Sequence, residues 1–293
     1  MNRLVLIDGN AILHRAYHAL PPLTAPDGSL VNAVYGFATM LFKIFENLKP
    51  THMAVAFDRP KPTFRKKLFE GYQAKRPKMD EELVGQIEQV HDLVRAFGIP
   101  IFEKDGFEAD DVIGTLASKA RQQVIIVTGD RDILQLVNKN VMVYMPTKGL
   151  SEAKLYGEKE VEDRMGVAPK LVTDFKALAG DASDNYPGVK GIGTKTAVKL
   201  LTKYKTLEGL LKTDELTKEQ KESARMSHDL AIIRTNVKIK GELVEITTLN
   251  TESARKFLEA LHFHSLLKRL NVAKGKEDKQ KEDKPKGQQQ ELF

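Results

Sequence analysis

Three short apolar runs in this sequence each stop at an aspartate, and that repetition restricts the fold more than any other feature of the chain. Leu4 to Ile7 runs into Asp8, Met53 to Phe57 into Asp58, and Val124 to Gly129 into Asp130, with Asp132 two residues on. Unbroken apolar runs of this length, separated by stretches of helical spacing, predict strands of a parallel sheet covered on both faces. In open α/β sheets the site lies outside the carboxyl ends of the strands. Three strand-end aspartates and Asp132 would therefore converge.

The stretch Gly106 to Val112, GFEADDV, adds Glu108, Asp110 and Asp111 at the mouth of a helix whose Val112, Leu116, Ala117 and Ala120 recur at helical spacing. Acids in a first helical turn also answer the helix dipole, worth about 0.3–1 kcal/mol each, and the stretch taken alone fits that equally well. Together with the strand ends, it makes a pocket whose carboxylates repel one another unless cations lie between them. The 293-residue chain has no cysteine. Thiolate ligands and nucleophiles are thus excluded, and oxygen-only donors favour hard cations such as Mg²⁺ or Mn²⁺ over zinc. His14 and His18 follow the first strand, but isolated histidines on a helix read as packing or surface residues.

A net charge of +6 with 41% hydrophobic residues describes a soluble globular chain suited to a polyanionic partner. No apolar run approaches the roughly 20 residues that span a bilayer, and a cytoplasmic location is the expectation. The basic residues are not spread evenly. Between Arg59 and Lys78 stand Arg59, Lys61, Arg65, Lys66, Lys67, Lys75, Arg76 and Lys78, with Phe64, Phe69 and Tyr72 between them. Cations beside rings suit a nucleic-acid strand, and this stretch leaves directly from a strand-end aspartate.

The alternation of strands and helices describes one α/β domain over residues 1–160, with the basic stretch at about 59–80 as an arch. From 161 to 272 the pattern turns helical. There Asp181 and Asp184 lie three apart, and Gly188, Val189, Lys190, Gly191, Ile192, Gly193 and Lys195 make a glycine-rich hairpin between helices. Such a hairpin offers backbone N–H groups and a helix start to a phosphate, and no strand precedes it as a dinucleotide loop would require. Residues 273–293 form a charged, apolar-poor tail expected to be disordered. It closes on QQELF, with Gln289, Leu292 and Phe293 as a possible anchor in a partner.

Taken together, VLIDG, FRKKLFEGY, GFEADDV, VTGDRD, GDASDN and PGVKGIGTKTA resemble, in order, the motifs of the 5′-nuclease (flap endonuclease) family, which includes the 5′→3′ exonuclease domain of bacterial DNA polymerase I. The resemblance implies a PIN-like α/β parallel-sheet core with a strand-end carboxylate site, followed by an all-α helix-hairpin-helix region that grips duplex DNA, often with a potassium ion. It implies that Asp8, Glu108, Asp110, Asp111, Asp130, Asp132, Asp181 and Asp184 hold two divalent cations, with Asp58 close by, and that Arg65 and Arg76 handle the scissile phosphate or the 5′ strand. Tyr72 and Lys75 join the DNA contacts. Two-metal hydrolysis places such ions about 4 Å apart. The substrates implied are 5′ ends, flaps and nicks in replication and repair.

One position departs from the family pattern. Gln73 stands where the family has a lysine directed at the scissile phosphate, with Lys75 two residues on as a substitute. A structure-specific DNA-binding protein with weak catalysis, or a ribonuclease on a related core, are the alternative readings. The QQELF ending resembles peptides that dock into the bacterial sliding clamp.

Overall fold

The computed structural model describes residues 2–149 and 152–270, so Gln289, Leu292, Phe293 and the rest of the tail lie outside the described residues. Six strands form one sheet: β1 (Arg3–Asp8), β2 (His52–Ala56), β3 (Ile101–Phe102), β4 (Gln123–Val127), β5 (Val141–Pro146) and β6 (Ala153–Tyr156). Their order is β3-β2-β1-β4-β5-β6. The first five pair parallel, and β6 closes the edge antiparallel to β5. The sheet expected from the apolar runs is therefore present, with one strand added. Sequence did not signal β6, because in Ala153–Tyr156 only Tyr156 is buried.

Alternate residues of the central strands feed two separate cores. Val5, Ile7, Met53, Val55, Ile125 and Val127 face one side, packed by α1 (Gly9–Ala19), α2 (Asn32–Leu48) and α4 (Glu81–Ala96). Leu4, Leu6, Ala54, Ala56, Val124 and Ile126 face the other, under α5 (Ala109–Lys119). Burial on both faces is why these strands read as continuous apolar runs. The chain leaves β1 toward β2 on one side and returns from β3 to β4 on the other. The carboxyl ends of β1 and β4 thus flank the switch in strand order, where a crevice opens.

Beyond β6 every named element among the described residues is helical. These are α6 (Glu158–Met165), α7 (Val172–Ala179), α8 (Thr194–Tyr204), α9 (Leu207–Leu211), α10 (Lys218–Ala231) and α11 (Glu252–Ala260), with a short 3-10 turn at Pro169–Leu171; another, Asp132–Leu136, lies between β4 and β5. Val172, Leu178, Leu201 and Leu210 join the core that already holds Leu4 and Ile126, so the helical part continues the sheet's own packing. Ala254 and Leu258 of α11 return to the opposite core beside α2 and α4. The basic stretch contains a short helix, α3 (Phe64–Leu68), whose Arg65 points inward and is buried.

Candidate active site

Asp8 ends β1 and caps α1: Oδ1 accepts from the backbone N–H of Ala11 at 2.9 Å. That is the ordinary use of an aspartate at a helix start. Its Oδ2 accepts from Thr128 Oγ at 2.6 Å. Thr128, the first residue past β4, also accepts from the N–H of Asp130 at 2.9 Å, and Asp130 accepts from the N–H of Asp132 at 2.8 Å. One buried hydroxyl thus ties the ends of β1 and β4 together. Asp58, just past β2, accepts from the N–H of Ala109 at 2.7 Å, the first residue of α5, while its own N–H donates to Asn10 at 2.9 Å.

These elements surround a cavity of about 790 Å³ lined by Asp8, Asp58, Glu108, Asp110, Asp130 and Asp184. Basic side chains line it as well: Arg59, Lys61, Lys66, Arg76 and Lys78, with His14 and His18. The electrostatics of the acid wall are severe. Burial pushes the Asp8 carboxyl up to about 7, and Asp58 and Asp130 push the same way. Glu108 is raised to about 7 by burial, against the pull of Arg65. Asp110 is raised well above its ordinary range, by burial and then by Asp130, Asp8, Glu108 and Asp58. It accepts no hydrogen bond from any other described residue. As the carboxylates stand, no three of them or of the histidines are gathered closely enough to hold an ion among the described residues. Their chemistry nonetheless fits a hard cation: buried oxygen donors with excess negative charge and, at Asp110, no partner.

Besides Glu108, which Arg65 reaches at 3.2 Å, four of the acids expected at the metals have basic partners. Asp111 is fully buried and grips Arg65 through both oxygens, at 2.7 and 2.9 Å, while also accepting from the N–H groups of Glu108 and Arg234. Asp184 accepts from Arg76 at 2.6 Å, from the Tyr72 hydroxyl at 3.1 Å and from Gln73 at 3.3 Å. Asp132 and Asp181 both hold the ammonium of Lys176, a buried residue of α7. Burial tends to raise Asp181, but Lys176 outweighs it and brings the carboxyl down to about 2.

Arg65 is placed differently from what the resemblance implies. Its five N–H donors go to the carbonyls of Leu230 and Ile232, to Asp111 twice and to Glu108. None is left for a phosphate, and the side chain is buried. It braces α3, α5 and the end of α10. Tyr72 is also buried, with its hydroxyl shared between Glu108 and Asp184, so its ring is not a free stacking surface. Phe64 turns inward as well, under Arg65 and Arg234. Lys75 is exposed and does not line the cavity, whereas Lys66 and Lys78 do. Sequence reasoning missed Thr128 and Lys176. A threonine after a strand or a lysine on an amphipathic helix carries no local signal of its partners.

The glycine hairpin lies away from the cavity. After α7 the chain turns through Gly180 (φ 75°) and Gly188 (φ 62°), and a Cβ on Gly188 would come within 2.2 Å of the Gly180 nitrogen. Only glycine permits two backbones to cross so closely. Ser223 and Gln220 of α10 brace the loop by donating to the carbonyls of Gly188 and Lys190. The start of α8 is left open, with Lys190, Gly191, Gly193 and Lys195 exposed and Val189 buried beneath them.

An open, mostly parallel sheet with acids gathered at its strand ends, followed by a helical region, defines the class: a two-sided α/β fold whose site lies at the switch in strand order. Family models describe residues 3–166 as the 5′–3′ exonuclease N-terminal resolvase-like domain and residues 167–254 as its C-terminal SAM fold. The chain belongs to the 5′–3′ exonuclease family. It is 35% identical to the 5′–3′ exonuclease of Aquifex aeolicus, covering 92% of this chain and 96% of that protein. It is 40% identical to DNA polymerase I of Bacillus caldotenax, covering 94% of this chain and only 33% of the polymerase. The chain thus spans about a third of the DNA polymerase I relatives it matches. Its fold is shared with bacteriophage T5 5′-exonuclease bound to zinc (TM-score 0.63, 20% identity, covering 78% of this chain and 86% of that one). Flap endonuclease-1 from Methanococcus jannaschii also shares it (TM-score 0.57, 19% identity, covering 92% and 90%).

Proposed function

We propose that this chain hydrolyses phosphodiester bonds at the 5′ ends, flaps and nicks of duplex DNA, with divalent cations held by its strand-end acids. The observation that carries the reading is Asp110: a carboxylate raised well above its ordinary range, among four other acids and without a partner, in a cavity that basic side chains also line. Asp8, Glu108, Asp110 and Asp130 would hold the first cation. Asp132, Asp181 and Asp184 would flank a second, with Asp58 at the mouth. Mg²⁺ or Mn²⁺ would supply Lewis acidity and an ionised water near neutral pH.

The protein's own groups do the rest. Lys66, Arg76 and Lys78 bind the phosphates of the 5′ strand over the acids. Arg65 and Asp111 hold α5 so that Glu108 and Asp110 face the cavity. The open start of α8, with Lys190 and Lys195, takes a phosphate of the duplex, and a potassium ion at the hairpin completes that grip. The bacteriophage T5 flap endonuclease has been captured with DNA and metal ions, which supports the same partners here. The division into a core to residue 160 and a helical region after it follows these two tasks. Gln289, Leu292 and Phe293 would tether the enzyme to a sliding clamp; deleting QQELF should abolish capture by the clamp and leave cleavage of free flaps unchanged.

A labelled 5′-flap duplex tests the reading. Cleavage with Mg²⁺ and none with chelator is expected. Binding without cleavage in Mg²⁺ would make the chain a structure-specific binder, and cleavage of RNA alone would make it a ribonuclease.

A further inference from the structure

Of the acids assigned to cations, Asp8, Asp110 and Asp130 make no salt bridge with any described residue and Glu108 shares Arg65 with Asp111, but Asp132 and Asp181 together hold a cation of their own. Lys176 is 7% exposed, on the last turns of α7, with its ammonium donating to Asp132 and, at 2.5 Å, to Asp181. It also lies within electrostatic reach of Asp130. A buried ammonium between two carboxylates occupies the volume and neutralises the charge that a second divalent ion would need. Asp111 and Asp184 are likewise paired, but with Arg65, which has every donor engaged, and with Arg76, which is exposed at the rim. Lys176 and Arg76 both act on Asp130 as well as on acids of the second position, but of the two it is Lys176 that is buried.

We propose that Lys176 is a resident counter-cation that keeps the second divalent position closed until its ammonium is drawn away. Lys176 has a flexible stem and three donors, and an arriving phosphate is the anion that could take them. The second cation would then bind readily only when DNA is seated, so that the hydrolytic site is completed on the substrate and not before. This role positions the acids and does not touch the scissile bond. It rests on the metal reading above.

Titration calorimetry of the full chain with Mn²⁺, without DNA, tests it directly. The native protein should show one cation bound tightly and a second at least ~10-fold more weakly, while Lys176→Met should bind the second at least ~10-fold more tightly and Lys176→Arg should resemble the native protein. A lysine that is merely structural would lower the melting temperature and leave both affinities unchanged, and that result overturns the proposal. No binding in any variant would remove the metal reading and the gate with it. A first cation bound, with a second insensitive to Lys176, removes the gate alone. Should Lys176→Met fail to fold, NMR of the lysine side-chain ammonium in native protein during Mg²⁺ titration decides. The Lys176 signal, identified by its loss in Lys176→Arg, must shift with the second equivalent; a shift with the first, or none, contradicts the gate.

Discussion

Asp110 stands to gain from a cation, because burial and four neighbouring acids all oppose its charge. Asp110→Asn removes that opposition. The expected result is metal-free protein more stable by about 1 kcal/mol, as at other sites where function is bought with strain, and flap cleavage reduced on the order of 10²-fold or more. Urea unfolding in chelator and single-turnover kinetics in Mg²⁺ measure the two. Arg65 gives the opposite pattern. Arg65→Ala leaves Asp111 charged and unpaired in the interior, a change that costs about 3–5 kcal/mol. Its loss should therefore appear first in the urea midpoint; an unchanged midpoint with impaired cleavage would restore Arg65 to the phosphate. The position was not legible in sequence. Basic residues beside aromatics look alike whether they face DNA or the interior, and the Leu230 and Ile232 carbonyls that claim this one lie more than 160 residues away along the chain.

Among the elements, strands and their acids were the most legible. An apolar run ending in aspartate carries both the sheet and the place where it opens, and β1, β2 and β4 bring Asp8, Asp58 and Asp130 to one cavity as that pattern requires. The helix after GFEADDV was legible as a helix, with Val112 and Ala117 buried as expected, but Leu116 and Ala120 are half-buried and Ile113, Gly114 and Thr115 face the core with them. What sequence could not show was how the acids divide between open and paired, since that depends on α3 and α7 docking against α5 and the 3-10 turn after β4. The hairpin between α7 and α8 rests on backbone geometry more than on charge. Gly188→Ala should destabilise the protein by roughly 1–3 kcal/mol, because its Cβ meets the Gly180 nitrogen. Binding to blunt duplex should weaken with it. A variant as stable as the native chain would mean the loop can rearrange, and the close crossing would lose its significance.

At the scale of the whole molecule, the site sets a pH dependence whose sign is fixed. Asp8 and Glu108 are both raised to about 7 in the folded state, from ordinary values of 3.8 and 4.5. Between those limits the folded chain binds more protons than the unfolded one, so stability from these groups is present at acidic pH and lost as pH rises through about 7. Metal-free protein should therefore melt at a higher temperature at pH 5.5 than at pH 8 on account of this site, and saturating Mg²⁺ should narrow the difference by favouring the ionised carboxylates. Calorimetric melting in chelator and in Mg²⁺ reads the two slopes; identical slopes would mean the acids do not titrate with the cation. The most direct test of convergence at the strand ends is crystallographic. Crystals grown with Mn²⁺ should show an anomalous peak coordinated by Asp8, Glu108, Asp110 and Asp130, inside the cavity. Manganese bound elsewhere, with those four carboxylates pointing apart, would contradict the account.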